Sequence, residues 1–399
     1  MADITVEPEL TDTERAVLSV IVDEGEATRP LVARNTSLSA PTVGSAVGRL
    51  IDLGLVQAVR TAQGALGRAA TVYAVAPTAG WLMGIDVGST RVHARARGVD
   101  GRVLAEVAAD LGPEEAGTDA VRSVVRRIRR AVGNGNGPLR ATGVALPRVI
   151  PDYLSGDGGS NSGAPPIDEL LPALGVRPGL PVLLENNVNC AALAEMEQGA
   201  ARGQEDFVYL QVGVRIGAGI VAGRRVLRGA HGGAGEVSAV PVGWPSRRQE
   251  DAYALERYLG SERLLERAHD AWRPGSTDPP RTVPELFAAA ADGDPVARRV
   301  VDQHADDVGQ LALTLAAVVD PGIVVLGGGV GRNPVLTPGV RTAVQRYRPD
   351  LDVVVSELGE AGSVEGAVAL TVDHARGALL GGHHHRRLDL RTAVVNITV

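Results

Sequence analysis

The sequence predicts an α/β protein in two unequal parts. A small module occupies residues 1–77, a larger strand–helix region 78–376, and a tail 377–399. Three observations predict this. Residues 1–77 run helix, helix, turn, helix, hairpin. The remainder alternates strand-like and helix-like stretches, the pattern of sheets covered by helices. At 399 residues the chain exceeds what one hydrophobic core supports.

In the first module, Val17, Leu18 and Ile21 share one face of a helix over 12–24. A short helix over 28–35 follows, with Thr28 as its N-cap. A third helix spans 40–53, with Ser39 as N-cap, Pro41 in the first turn and Gly54 as its stop. Residues 55–60 and 70–76 alternate like strands around a hairpin-like wing. That order is a winged helix-turn-helix. Between 27 and 76 five arginines face one acid, Asp52, a net of +4 in a chain of net -7. A basic module on an acidic chain is the electrostatic footprint of a double-stranded DNA binder. The third helix is then the recognition helix. Pro41, Thr42 and Ser45 face base edges, Ser39 stands beside them at the DNA, and Arg34, Arg49 and the wing's Arg68 meet phosphate or groove.

Composition excludes other classes. One cysteine, Cys190, allows no internal disulfide framework and no multi-cysteine zinc site, and its helical context reads as packing. The acidic N-terminus is not a signal peptide, and no apolar run is long enough to span a bilayer. The expectation is a cytoplasmic protein without a membrane partner.

The larger region opens with three antiparallel strands over 81–110, broken at Gly88-Ser89 and Asp100-Gly101. The first bend places Asp86, Gly88 and Thr90 together, a backbone that can approach phosphate. A helix near 118–133, a buried strand at 140–147 and a strand-into-helix at 181–203 follow. A second Gly-rich strand pair lies at 207–243, helices fill 250–318, and the strand at 322–333 ends in a glycine loop. The tail carries His383, His384 and His385, read as a flexible stretch, and a possible edge strand in RTAVVNITV.

MGIDVGST, ENNVN before AALAE, IGAGIVAG, RGAHGGAGEV, YALERY and DPGIVVLGGGV stand in one order and spacing. In them the chain resembles the ROK family of repressors, open reading frames and sugar kinases. The resemblance covers roughly residues 10–376, including a wing end reading GRAA where the family's regulators have a GRPA-like sequence. It implies an actin-like ATPase fold of two lobes meeting near 187–190, with a C-terminal helix returning to the first lobe. It also implies a homodimer or tetramer on a palindromic operator.

Departures from the family pattern bear on activity. The kinases' E-N-D-x-N segment, whose Asp deprotonates the sugar hydroxyl, here carries Asn187, which cannot act as a base. The second phosphate loop, G-T-G-I-G in kinases, reads Gly213-Val214-Arg215-Ile216-Gly217. The GEIGH histidine is Ala239, and the zinc cysteines are missing. Family regulators often carry an Arg just after the recognition helix N-cap; here it is Ala40.

The implied reading is a DNA-binding regulator with a catalytically inactive sensor domain, no cofactor and no metal. The alternatives are an active sugar kinase and a ligand-independent regulator. Asn186, Asn187, Glu236 and Glu256 match sugar-contacting positions. Asn189 is read as the cap of the following helix. Asp86, Gly88, Thr90, Arg215, Gly217 and Gly328 make a degenerate nucleotide site. In it Arg215 is expected against Asp86, a guanidinium compensating a carboxylate. The other possible places for it are solvent or a bound phosphate.

Overall fold

The structure is a computed structural model that describes residues 9–63, 69–111, 117–150, 165–240, 253–272, 278–380 and 393–396. Arg68, residues 241–252 and the histidine triplet lie outside these residues.

The N-terminal module contains α1 (Asp12–Glu24), β1 (Glu26–Thr28), α2 (Arg29–Thr36), α3 (Ala40–Asp52), β2 (Val56–Gln63) and β3 (Ala69–Val75). A capping box of Thr11 and Glu14 starts α1, and the Thr28 and Ser39 hydroxyls cap α2 and α3. Val17, Leu18 and Ile21 pack on Val43, Val47 and Leu50 in one core. The sheet order β1-β3-β2 adds a strand absent from the sequence reading. Glu26–Thr28 is three residues long and carries no periodicity of its own; pairing with Val72–Ala74 makes it a strand.

The first lobe holds β4 (Trp81–Val87), β5 (Arg91–Gly98), β6 (Val103–Asp110), α4 (Gly117–Val132), β7 (Leu139–Leu146), α5 (Ile167–Ala173) and β8 (Pro181–Asn186). The second holds α6 (Asn187–Gln198), β9 (Phe207–Val212), β10 (Ile216–Ala222), β11 (Arg225–Val226), α7 (Ala254–Leu259), α8 (Ser261–Ala271), α9 (Val283–Ala291), α10 (Pro295–Val319), β12 (Ile323–Gly327), α11 (Gly328–Gly331), α12 (Thr337–Gln345) and β13 (Asp352–Val355). The chain returns through α13 (Gly362–Leu380) and ends with β14 (Ala393–Asn396). The sheets run β14-β8-β7-β4-β5-β6 and β11-β10-β9-β12-β13. In each, an antiparallel hairpin joins strands paired in parallel, which sends the hairpin turns and the strand ends to the cleft between lobes. β14 pairs antiparallel with β8, the edge position anticipated for the closing segment.

α13 ties the parts together. It lies so close to its neighbours that a Cβ on Gly366 would fall 1.9 Å from the Cys190 carbonyl oxygen, and one on Gly143 2.1 Å from that of Ala367. Its last residues, Leu379 and Leu380, are buried in the same core as Leu18 and Leu50. The sequence reading ended the second region at 376. That boundary cuts α13, because the last turn serves the N-terminal module.

Candidate functional site

On α3, Val43, Ala46, Val47 and Leu50 are buried, while Pro41, Thr42, Ser45 and Arg49 are exposed. Positions three and four apart share a helix face, so these residues form one polar stripe. Ser39 Oγ accepts from the Thr42 backbone N–H and lies 2.7 Å from Thr42 Oγ1. Arg34 on α2 is also exposed. Two other arginines are occupied. Arg60 pairs with Glu26 at 2.6 Å, and Arg29 lies over the Tyr73 ring at 5.3 Å. Glu26 falls one residue before the window of the charge count, so that count overstated the unpaired positive charge.

Between the lobes, a chamber of about 200 Å³ is lined by Asn186, Asn187, Glu236 and Glu256, the four residues matched to sugar positions. Arg148, Gln211, Ser238 and Tyr253 also line it and were not anticipated. Only Arg148, just after the strand end at Leu146, carried a sequence signal, its place beside a predicted strand terminus.

Asn186, rather than Asn189, caps α6. Its Oδ1 accepts from the N–H groups of Val188 (2.8 Å) and Asn189 (3.3 Å), and its Nδ2 donates to the Arg148 carbonyl (3.1 Å) and Glu236 Oε1 (3.5 Å). Asn189 instead donates through Nδ2 to Glu185 Oε1 at 3.1 Å. The reason is position: a cap stands outside the first turn, and Asn189 is already within it. Glu185 in turn meets Arg228 Nε at 3.1 Å in a buried ion pair, and Arg228 donates to the Ile150 carbonyl at 2.6 Å. This pair joins the end of β8 in the first lobe to the second lobe.

Glu236 follows Gly235, whose φ is +85°; a Cβ there would sit 1.9 Å from the Ala218 carbonyl oxygen, so glycine is required. Burial raises the Glu236 pKa, and Glu256 opposite raises it further. Burial also raises Glu256, while the Arg215 charge and the Ile216 N–H lower it. Two carboxylates lining one chamber present hydrogen-bond acceptors, a surface matched to hydroxyl groups. α7, which carries Glu256, is anchored through Tyr258 to Asp307 (3.0 Å), and Tyr258 lies 4.8 Å under the Arg267 guanidinium.

A larger cleft of about 620 Å³ adjoins the chamber, lined by Asp86, Gly88, Thr90, Arg215, Arg332 and Gly328 among others. Gly217 instead lines the chamber. Gly328 has φ +77°, and a Cβ there would lie 2.3 Å from the Val212 carbonyl oxygen. Asp86 Oδ1 is buried without a hydrogen-bond partner, and burial pushes the carboxyl up to about 7 against the opposing pull of Arg91. The expected Arg215–Asp86 pair does not form. Arg91 is the cation acting on Asp86, and Arg215 lines the chamber with Glu256, whose pKa its charge lowers. Arg91 opens the strand after Asp86's own turn, where its charge acts on the carboxyl while its Nη1 pairs with Glu360 at 2.9 Å.

Residues 82–374 match the ROK family. The chain belongs to the ROK family. Residues 10–57 match the winged helix-turn-helix DNA-binding family. The chain is 30% identical over 298 residues to the bifunctional enzyme NanE/NanK of Brucella melitensis, covering 73% of this chain and 54% of that enzyme, so it spans about half that relative's length. It is 25% identical to the xylose repressor of Caldicellulosiruptor bescii, over 78% of this chain and 81% of the repressor. A solved ROK family transcriptional regulator, described as a homologue of the E. coli MLC protein, shares the fold. The TM-score is 0.68 at 22% identity, covering 92% of this chain and 98% of that one. The ROK domain with its N-terminal winged helix is the arrangement of a ROK-type regulator. Among the described residues no helix is long and apolar enough to cross a membrane, and no cluster of metal-ligating side chains occurs.

Proposed function

We propose that this ROK protein is a DNA-binding transcriptional repressor whose sugar kinase-like domain senses a carbohydrate and does not phosphorylate it. The observation that carries this is Asn187: it lines the hydroxyl-binding chamber where a kinase needs a base, and an amide takes no proton at neutral pH. The nucleotide side points the same way. The second glycine loop carries an exposed Val214 and a half-buried Arg215 where a phosphate needs a hydroxyl and bare backbone. That loop does not fit Mg·ATP. Asn187, Glu236 and Glu256 bind effector hydroxyls, and Asn186 positions Glu236. Pro41, Thr42 and Ser45 read bases, while Arg34 and Arg49 hold phosphates of a palindromic operator bound by a homodimer or tetramer.

A second reading, an active sugar kinase, is favoured by Asp86 and the Gly328 cradle, both retained. Calorimetric screening of hexoses, followed by a coupled ATP assay on each binder, separates the two. The proposal expects a binder with no ADP release, and binding abolished by Glu236→Ala. Sugar-dependent ADP production overturns it.

A further inference from the structure

We infer that the arginine face of α4 is a second DNA surface, which holds phosphates of the duplex flanking the site read by α3. The inference rests on the DNA-binding reading above and extends it to the ROK domain. α4 buries Val121, Val124, Val125 and Ile128 against the first-lobe sheet and exposes Arg122, Arg126, Arg127, Arg129 and Arg130. At 3.6 residues per turn, Arg122, Arg126, Arg129 and Arg130 fall within about 100° of the helix circumference, so they share one face. Arg122 pairs with Asp119, and Arg127 donates to the Ala108 carbonyl at 3.2 Å. Arg126, Arg129 and Arg130 have no hydrogen-bond or ion-pair partner among the described residues. Cations in a last turn complement the helix dipole, which accounts for Arg129 and Arg130 but not for Arg126 a turn earlier.

The topology separates charge along this helix. α4 starts at the cleft end of the lobe, where Leu111 donates to the Thr90 carbonyl at 2.8 Å. The acids gather there: Asp110 at the end of β6, Asp119 in the first turn of α4, and Asp168 and Glu169 in the first turn of α5. Glu114 and Glu115 precede α4 in the chain. Glu106, midway along β6, is taken by Arg95 and His93. α4 ends at the opposite end of the lobe, beside the linker. Just past it, the Pro138 carbonyl accepts from the Trp81 N–H at 2.9 Å, and Gly137 packs on the Thr78 backbone. Asp100, the acid of the β5–β6 turn at this end, pairs with Arg102. The unpaired arginines therefore occupy the half of α4 nearest the N-terminal module. A helix face of this charge on a chain of net -7 fits a polyanion. Duplex DNA is the polyanion that the adjoining winged helix-turn-helix fits, and that module offers few free cations. Arg60 is taken by Glu26 and Arg29 lies over Tyr73, which leaves Arg34 and Arg49 on α2 and α3. Phosphate contacts supply affinity and carry no sequence information, so α4 adds affinity and leaves the reading to α3.

The test is fluorescence anisotropy of the full chain on two duplexes. One is the site that the protein selects from a random pool; the other adds about ten base pairs of scrambled sequence on each side, one helical turn. The expected result is binding to the long duplex that is tighter by at least about tenfold, with a steeper salt slope. Arg126→Ser, Arg129→Ser and Arg130→Ser together remove that gain. They make the log–log slope on the long duplex shallower by about two to three, and affinity for the short duplex is kept. Lysine at the same three positions retains the gain, since phosphate requires the charge rather than the guanidinium. The inference is overturned if both duplexes bind alike, if the serine variant keeps the gain, or if the lysine variant loses it. Phosphatidylglycerol vesicles that bind the wild type but not the serine variant, with no length gain on DNA, overturn it in favour of a membrane surface. In each of these outcomes selective binding to the short duplex keeps the α3 reading. Absence of selective binding to either duplex defeats the DNA-binding reading and this inference with it.

Discussion

Arg228→Met breaks the buried ion pair that joins the end of β8 to the second lobe. The Arg228 and Glu185 side chains are 6% and 3% exposed, so water does not replace what the substitution removes. Removing one partner of such a pair costs about 3–5 kcal/mol. Here Glu185 keeps the Asn186 N–H at 2.7 Å and the Asn189 amide at 3.1 Å. These bonds set the cost at the lower end, about 3 kcal/mol. For a domain of this size that lowers Tm by roughly 6 °C. Differential scanning calorimetry at pH 7.5 reads it. The double variant Glu185→Gln, Arg228→Met removes both charges and regains about half of the loss. A Tm within about 1 °C of wild type for Arg228→Met refutes the argument that this pair holds the lobes in register.

The remaining predictions concern α10 and α13. His304 is buried on α10, accepts from Arg267 through Nδ1 at 2.7 Å, and has its pKa pushed down to about 3 by burial and the Arg267 charge. Between 6.5 and 3 the unfolded chain binds this proton and the folded chain does not, so stability falls as pH falls through that window. His304→Gln removes about 2 kcal/mol of the loss between pH 7 and pH 5 in urea unfolding, and identical pH slopes contradict it. Gly366→Ala forces α13 off Cys190, costs about 1–3 kcal/mol, and lowers Tm; an unchanged melting curve contradicts the close packing.

Much of the fold was legible because its signals are local. Ser39, Pro41 and Gly54 bound α3 by capping chemistry, and the glycine-rich bends mark both strand pairs. What escaped depended on partners distant in sequence. β1 has no pattern until β3 pairs with it. Leu379 and Leu380 read as the end of a helix on the first lobe, and nothing local states that they enter the N-terminal core. The site divides in the same way. Motif order brought Asn186, Asn187, Glu236 and Glu256 to one chamber, yet the motif did not say that Asn186 spends its amide on capping. Charge pairing was the least legible. Arg60 meets Glu26, an acid the charge count left out, and Arg215 does not meet Asp86, because side-chain reach across a sheet or a cleft decides it.

The central claim is that this ROK chain reads DNA through α3 and α2. The most direct measurement is fluorescence anisotropy of the full chain on a duplex selected by the protein from a random pool, titrated across salt concentration. The account predicts sequence-selective binding whose log–log salt slope becomes shallower by about one for Arg34→Ala or Arg49→Ala, while Thr42→Ala changes sequence preference. Selection that enriches no sequence, or affinity and salt slope unchanged in both arginine variants, contradicts it.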